Sequence, residues 1–401
     1  MALRGLTEML ATFHASDERV YQLPTIVRFL HQLPFPNLGS YPSAQTPLFH
    51  LIMAIAAQLS GGIHLWLLRG LNVGVSYLAV IVLYRLLKRR GLALSESCAL
   101  ALLVGLSPYY FGASFLLLTD NLAILFALLA IWQLEAYRTE RSASRYVRFS
   151  CCLAAAVLTR QSMVWLAPLG VFYLVASRLG LRLLLVGIAS TAAALLPLGL
   201  LVLTWHGLVP RGADVASCGL CKKGQGLGAL VSLRPVLFTL ALVGLYAVAV
   251  YGPFALATRP RPKRAMLAAA AAAAVAAAVA LLASEMARTG VVDAGYLWQL
   301  STVGPKLAGS SWLFWLLTPL GAAAAVALIA RAPDRLLSAG FAICFLVASL
   351  GVNLVFQKYF DPFALLLVCF AARPGDFTSA FRYIGVVVLA CAFAVYALVF
   401  V

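Results

Sequence analysis

Three features of the sequence predict an all-α, polytopic membrane helix bundle. Of the 401 residues, 63% are hydrophobic and 11% charged, and the mean hydropathy is +0.96. Apolar runs of about 20 residues recur between short basic or Pro/Gly-containing breaks. Soluble domains are roughly half apolar, so most of this chain's surface belongs in lipid. Long continuous runs mark helices rather than barrel strands, because a helix satisfies its own backbone where water is absent. A single membrane domain over 1–401 is expected, with an outer loop at 14–60 and a helix bundle at 63–401.

The net charge of +17, from 30 Lys+Arg against 13 Asp+Glu, would point a soluble chain toward nucleic acid. Here the cations stand in short clusters between apolar runs, as cytoplasmic loops facing anionic headgroups do. Membrane lipids are therefore the expected partner, and nucleic acid is not. Of eight cysteines, Cys151, Cys152, Cys344, Cys369 and Cys391 lie in apolar runs, where a thiol acts as a small apolar side chain. Cys218 and Cys221 form a CGLC pair in a polar loop, spaced for a disulfide or half a zinc site. No second Cys or His pair follows, so the reading favours an incidental or disulfide-bonded loop.

Taken in order, the first 13 residues are too short and too mixed to span a bilayer, so nothing there is expected to carry Asp17 across it. Thr46 to Ser60 is apolar but short, a half-inserted helix. Ile63 to Leu87 spans and ends in Lys88, Arg89 and Arg90, which places that end in the cytoplasm and the preceding loop outside. Alternation then sends Leu94 to Ser107 out and Phe115 to Tyr137 back. Phe149 to Ala176 is interrupted by Arg160 and Gln161, predicting two short segments that meet near the outer surface. Leu183 to Thr204, Pro235 to Ala257, the alanine tract Ala268 to Ala283, Trp312 to Ala330, Leu336 to Phe356, Pro362 to Ala372 and Tyr383 to Val401 complete the chain. About eleven membrane segments are expected, some of them short. There is no GxGxxG or Walker loop, and so no motif for a nucleotide-driven enzyme or pump.

The polar residues stand in islands. In FHASDERVYQLPTIVRFLHQLPFPNLGSYPSAQTPLFH, Asp17, Glu18, Gln22, Arg28, Gln32 and Gln45 crowd among prolines and aromatics. Ionisable groups in such a chain belong at the water interface or in a protein-lined cavity, since an unpaired charge in hydrocarbon costs several kcal/mol. The other islands are Asp120 with Asn121, Arg160 with Gln161, and the QKYFDP stretch of Gln357, Lys358, Tyr359 and Asp361. Arg69 and Asn72 in LRGLN share a helix face. Arg69 either snorkels outward or pairs with a carboxylate such as Asp120; Asp120 either does so or caps the helix it begins. The five histidines have no metal-ligand spacing and receive no catalytic role.

Transfer of a sugar from a polyprenyl phosphate uses such a set. A carboxylate removes the proton of the acceptor hydroxyl, and cations stabilise charge on the departing phosphate. The residues carry a resemblance as well. The acidic pair Asp17-Glu18, Thr46-Pro47, LRGLN at Leu68 to Asn72, PYYFGASFLLLTD at Pro108 to Asp120, LTRQSMVWL at Leu158 to Leu166 and QKYFDP come in an order similar to that of a GT-C family. That family is the dolichyl-phosphate-glucose α-1,2-glucosyltransferases, and the likeness is of a compact, bacterial-sized relative. It implies an inverting hexosyltransferase, glucose favoured, with a polyprenyl- or dolichyl-phosphate sugar donor and a glycan or lipid-linked acceptor on the non-cytoplasmic face. Asp17 would be the base, with Glu18 a second candidate. Gln22, Arg69, Asp120, Arg160, Gln161, Gln357, Lys358, Tyr359 and Asp361 would bind substrate, with no metal and no cofactor in the scheme. A bacterial plasma membrane is the favoured location, the endoplasmic reticulum the alternative. A transporter or flippase also lines its path with intramembrane Arg and Asp, and a non-catalytic scaffold would leave the polar islands apart.

Overall fold

The computed structural model describes residues 16–176, 181–213, 232–257, 263–282, 295–307, 309–352, 355–377 and 379–400. The first 13 residues and the Cys218–Cys221 pair lie outside them. Within the described residues are sixteen α-helices and one two-residue strand pair, Lys306–Leu307 against Ser310–Ser311. The chain is an all-α, multi-pass membrane protein. Six helices are long and apolar enough to cross a membrane, seven if Leu94–Leu106 and Pro108–Ser114 count as one bent span, and four shorter apolar helices accompany them.

In chain order the helices are α1 Leu23–Gln32, α2 Leu48–Leu59, α3 Leu65–Arg89, α4 Leu94–Leu106, α5 Pro108–Ser114, α6 Asp120–Glu140, α7 Ala143–Thr159 and α8 Leu166–Ala176. There follow α9 Leu181–Trp205, α10 Arg234–Ala257, α11 Lys263–Leu282, α12 Tyr296–Thr302, α13 Trp312–Arg331, α14 Arg335–Ser349, α15 Asp361–Phe370 and α16 Ala380–Phe400. Most bounds fall within a few residues of the predicted ones. Where they differ, a local cause is visible. The segment predicted from Phe115 begins as a helix only at Asp120, after a stretch in which the Leu116 carbonyl and the Leu117 N–H bond to side chains elsewhere. Helix α14 stops at Ser349 rather than running to Phe356. Ser107 precedes Pro108 and is extended, with φ −52° and ψ 130°, since the proline ring disfavours helical geometry in the residue before it.

The chain forms two compact units, one of Met1–Leu83, Tyr110–Lys223 and Tyr396–Val401, the other of Tyr84–Tyr109 and Gly224–Val395. In the first, α6 packs on α7, α7 on α9, and α1 on α2, which also touches α7. In the second, α13 packs against both α10 and α11, and α15 packs on α10 and α4. Every residue of α15 is buried, and a helix that is apolar all round belongs in a core. Here α15 fills the middle of its unit.

The α10–α13 crossing depends on two glycines. A Cβ added to Gly321 would strike the Leu240 carbonyl, and one on Gly244 would meet the Leu317 carbonyl at 2.5 Å. Small residues let helix backbones approach this closely in a membrane, where packing replaces the hydrophobic effect as the associating force. Gly321→Val is expected to lower stability by about 2–3 kcal/mol through overpacking. Gly199→Ala, at a helical position where an added Cβ meets nothing within 4 Å, should leave stability unchanged or slightly raised. Thermal unfolding of both variants in detergent measures the contrast.

Candidate functional site

The site grows from the entry into α1. Glu18–Gln22 forms a π-turn, closed by the Leu23 N–H to the Glu18 carbonyl. Single π-turns recur at functional positions, and this one buries Glu18 and Gln22 while Asp17, just ahead of it, stays partly exposed. The neighbouring acids thus have different surroundings.

Glu18 is 1% exposed and forms a fork with Arg69, whose Nε and Nη2 donate to its two oxygens at 3.0 and 2.6 Å. The same Oε1 accepts the Leu117 N–H at 3.2 Å. A bidentate pair supplied with a further backbone donor is the arrangement that makes a buried charge tolerable. It pins three segments remote in sequence: the acidic loop, α3 and the break before α6. Arg69 therefore has a carboxylate partner, and that partner is Glu18 rather than Asp120.

One turn along α3, Asn72 donates to the carbonyls of Ala113 and Leu116 at 2.8 and 2.6 Å. Asn121 donates to Ser76 Oγ, the Tyr110 carbonyl and Ser114 Oγ at 2.7 to 3.0 Å. Asn72 thereby satisfies the Leu116 carbonyl within the break at Phe115 to Thr119 and the Ala113 carbonyl before it, while Asn121 ties the start of α6 to α3 and α5.

Asp120 opens α6 without a side-chain cap and is ion-paired to Nη1 of Arg160. Arg160 ends α7 in extended conformation, φ −147° and ψ 120°, ahead of the 3₁₀ turn Gln161–Trp165. The interruption predicted at Arg160 and Gln161 is the junction of two helices. Gln161 donates to the Ala44 carbonyl at 2.7 Å, and Thr46 to the Val157 carbonyl at 2.8 Å, so the loop before α2 is tied to this junction. Ser43, beside Ala44, donates to Gln22 Oε1 at 3.3 Å, and His50 Nε2 meets the same oxygen at 2.6 Å.

These contacts, joined by short backbone steps, link Glu18, Gln22, Arg69, Asp120, Arg160 and Gln161 within the first unit. Of the other five predicted residues, Asp17 lies beside Glu18 in the first unit, and Gln357, Lys358, Tyr359 and Asp361 belong to the second. There Asp361 is fully buried and accepts hydrogen bonds from Ser107, from Tyr246, from Tyr296 at 3.0 Å and from Gln357 at 3.2 Å. Gln357 in turn accepts the Leu297 N–H at 2.9 Å. The Lys358 ammonium lies 5.8 Å from the Phe356 ring and 5.3 Å from that of Tyr359, within cation–π range. No group of three or more His, Cys, Asp or Glu able to hold a metal occurs among the described residues.

Sequence reasoning passed over Ser43 and His50 in the first unit and Ser107, Tyr246 and Tyr296 in the second. Serine, tyrosine and a lone histidine are unremarkable in type, and no local spacing joins position 50 to 22 or 361 to 107.

The model of the family described as dolichyl-phosphate-mannose-protein mannosyltransferase matches residues 44–205. The matched stretch holds Arg69, Asp120, Arg160 and Gln161, and it supports a glycosyltransferase of the GT-C type. No curated protein and no solved structure matches the chain.

The Glu18–Arg69 fork yields a stability test. Glu18→Ala leaves Arg69 without its counter-ion and the Leu117 N–H without its acceptor. A loss of about 3 kcal/mol is expected, the low end for a broken buried pair because Arg69 keeps 23% of its side chain exposed. Arg69→Ala should act in the same direction, and the double variant should lose less than the two single losses together, as coupled partners do. Unfolding midpoints of the four proteins in detergent measure this.

Proposed function

We propose that the protein is an inverting hexosyltransferase that takes its sugar from a polyprenyl phosphate and delivers it to a glycan or lipid-linked acceptor on the non-cytoplasmic face of a bacterial plasma membrane. The observation that carries the reading is the set gathered in the first unit: partly exposed Asp17 beside the Glu18–Arg69 fork, with Leu117, which donates to Glu18, three residues ahead of the Asp120–Arg160 pair. The family match over 44–205 supports the same class.

In this reading the acids divide the work. Glu18 is occupied by Arg69 and Leu117 and acts by holding the loop. Asp17, partly exposed beside it, is the base. It takes the proton of the acceptor hydroxyl as that oxygen bonds to the anomeric carbon. The bond from that carbon to the phosphate oxygen breaks, and its electron pair leaves with the polyprenyl phosphate, which stays in the membrane. Attack from the face opposite the phosphate inverts the anomeric centre. Arg160, oriented by Asp120, faces the phosphate as its charge develops. Gln357 and Asp361, whose polar atoms are engaged within their own unit, serve to set the position of Lys358 and Tyr359 rather than to touch substrate. The hexose is glucose by the motif likeness and mannose by the matched family's name, so both donors belong in the assay.

Asp17→Asn in purified, folded protein should reduce transfer from a polyprenyl-phosphate hexose about 10²- to 10⁴-fold, the range for loss of a general base. Undiminished turnover would exclude Asp17 as that base. Arg160→Ala should weaken donor binding about tenfold or more, as expected when a charged hydrogen bond of at least 1.4 kcal/mol is removed. Donor titration with unfolding measured alongside separates this from a folding defect.

A further inference from the structure

His50 has no part in the scheme above, yet it is fully buried and its Nε2 lies 2.6 Å from Gln22 Oε1. Phe29, Tyr41 and Phe49 enclose its ring, with centroids 6.2, 6.2 and 5.7 Å away. Burial pushes the imidazole down to about 3, so the ring is neutral near pH 7 and one nitrogen carries the proton. Geometry says which. Nδ1 makes no hydrogen bond of good geometry, although the Thr46 backbone one turn back lies near the ring, and a bare lone pair there costs less than a poorly aligned N–H. Nε2–H is therefore the donor and Gln22 Oε1 the acceptor.

Ser43 agrees with this choice. Its hydroxyl oxygen accepts the Gln45 N–H at 3.2 Å, and its O–H reaches Gln22 Oε1 at 3.3 Å. Its own N–H is held by Thr25 Oγ1 at 3.1 Å, and Thr25 donates to the Tyr21 carbonyl at 2.7 Å. Gln22 Oε1 thus has both lone pairs engaged, and the amide can present only its NH₂ elsewhere. Among the described residues no acceptor takes a hydrogen bond from that nitrogen. Gln22 follows Asp17 by five residues across the π-turn, within the network that holds the candidate site.

We infer that His50 is a positioning residue that locks the Gln22 amide with its NH₂ turned outward, making Gln22 a hydrogen-bond donor to a substrate oxygen, either a sugar hydroxyl or a phosphate oxygen. The substrate half rests on the functional reading given above; the orientation of the amide does not.

Two measurements test the two halves. The first is ¹⁵N NMR of histidine-labelled wild-type protein in detergent, with the His50 signal assigned by its loss in His50→Gln. A neutral ring protonated at Nε2 from pH 5 to 8 is expected. A ring protonated at Nδ1, donating to the Thr46 carbonyl, would reverse the Gln22 amide and overturn the proposal, as would a charged ring at pH 6. The second is steady-state transfer from a polyprenyl-phosphate hexose. Gln22→Met and His50→Gln should each raise the donor KM about fivefold to tenfold, the worth of about one hydrogen bond, with kcat within about twofold. The double variant should be no worse than Gln22→Met alone. Additive losses, or an unchanged KM in folded His50→Gln, would overturn it. Binding of sugar-free polyprenyl phosphate separates the sources: weakened by Gln22→Met, the oxygen is the phosphate's, and unaffected, it is the sugar's. A wild-type protein inactive with every lipid-linked hexose would remove the functional reading and the substrate half with it, while the tautomer result would still decide the amide's orientation.

Discussion

The first unit depends on one constraint: a carboxylate in an oily chain must be paid for locally. Glu18 meets it with a guanidinium fork and a backbone N–H. Because those donors come from α3 and from the break before α6, satisfying one charge fixes the relative placement of three chain segments. The attraction is strong in such surroundings but scarcely exceeds the cost of taking both ions out of water. The pair matters more for register than for net stability, since any packing that separates the partners strands a charge.

The same rule, applied with neutral groups, builds the break itself. Phe115 to Thr119 leaves helical pairing, and Asn72 takes up the Leu116 carbonyl and Glu18 the Leu117 N–H there. Irregular backbone at membrane depth is tolerated only where protein satisfies it. The LRGLN stretch thus carries two functions one helical turn apart: Arg69 anchors the acidic loop, and Asn72 anchors the break. Both residues project from one face of α3, as the three-residue spacing requires.

Much of this was legible in the sequence because lipid leaves few options. The hydrophobic runs gave the helices nearly to their ends, and the polar islands at Glu18, Arg69, Asp120 and Arg160 proved to be paired, because ions in such a chain seldom stand alone. What the sequence withheld was the pairing itself. Arg69 was expected either to snorkel or to pair with a carboxylate such as Asp120, and the fold instead pairs it with Glu18 while Arg160 takes Asp120. Likewise the donors around Asp361 come from Ser107, Tyr246 and Tyr296, more than 60 residues from it in each case, where no periodicity reaches.

The two units answer the problem of a buried acid in different ways, and the difference bears on function. Asp361 is surrounded by neutral donors: three hydroxyls and an amide converge on its two oxygens. A cage of this kind leaves little room for another molecule and rigidifies what it joins, here the start of α15 and the Gln357–Tyr359 turn. In the first unit the acids meet cations, and Asp17 retains partial exposure beside them. A guanidinium–carboxylate pair can exchange one oxyanion for another at modest cost, because the guanidinium keeps a full hydrogen-bond partner throughout. In the proposed reaction, phosphate charge would find compensation in the first unit, whereas a cage of neutral hydroxyls supplies dipoles already spent on Asp361.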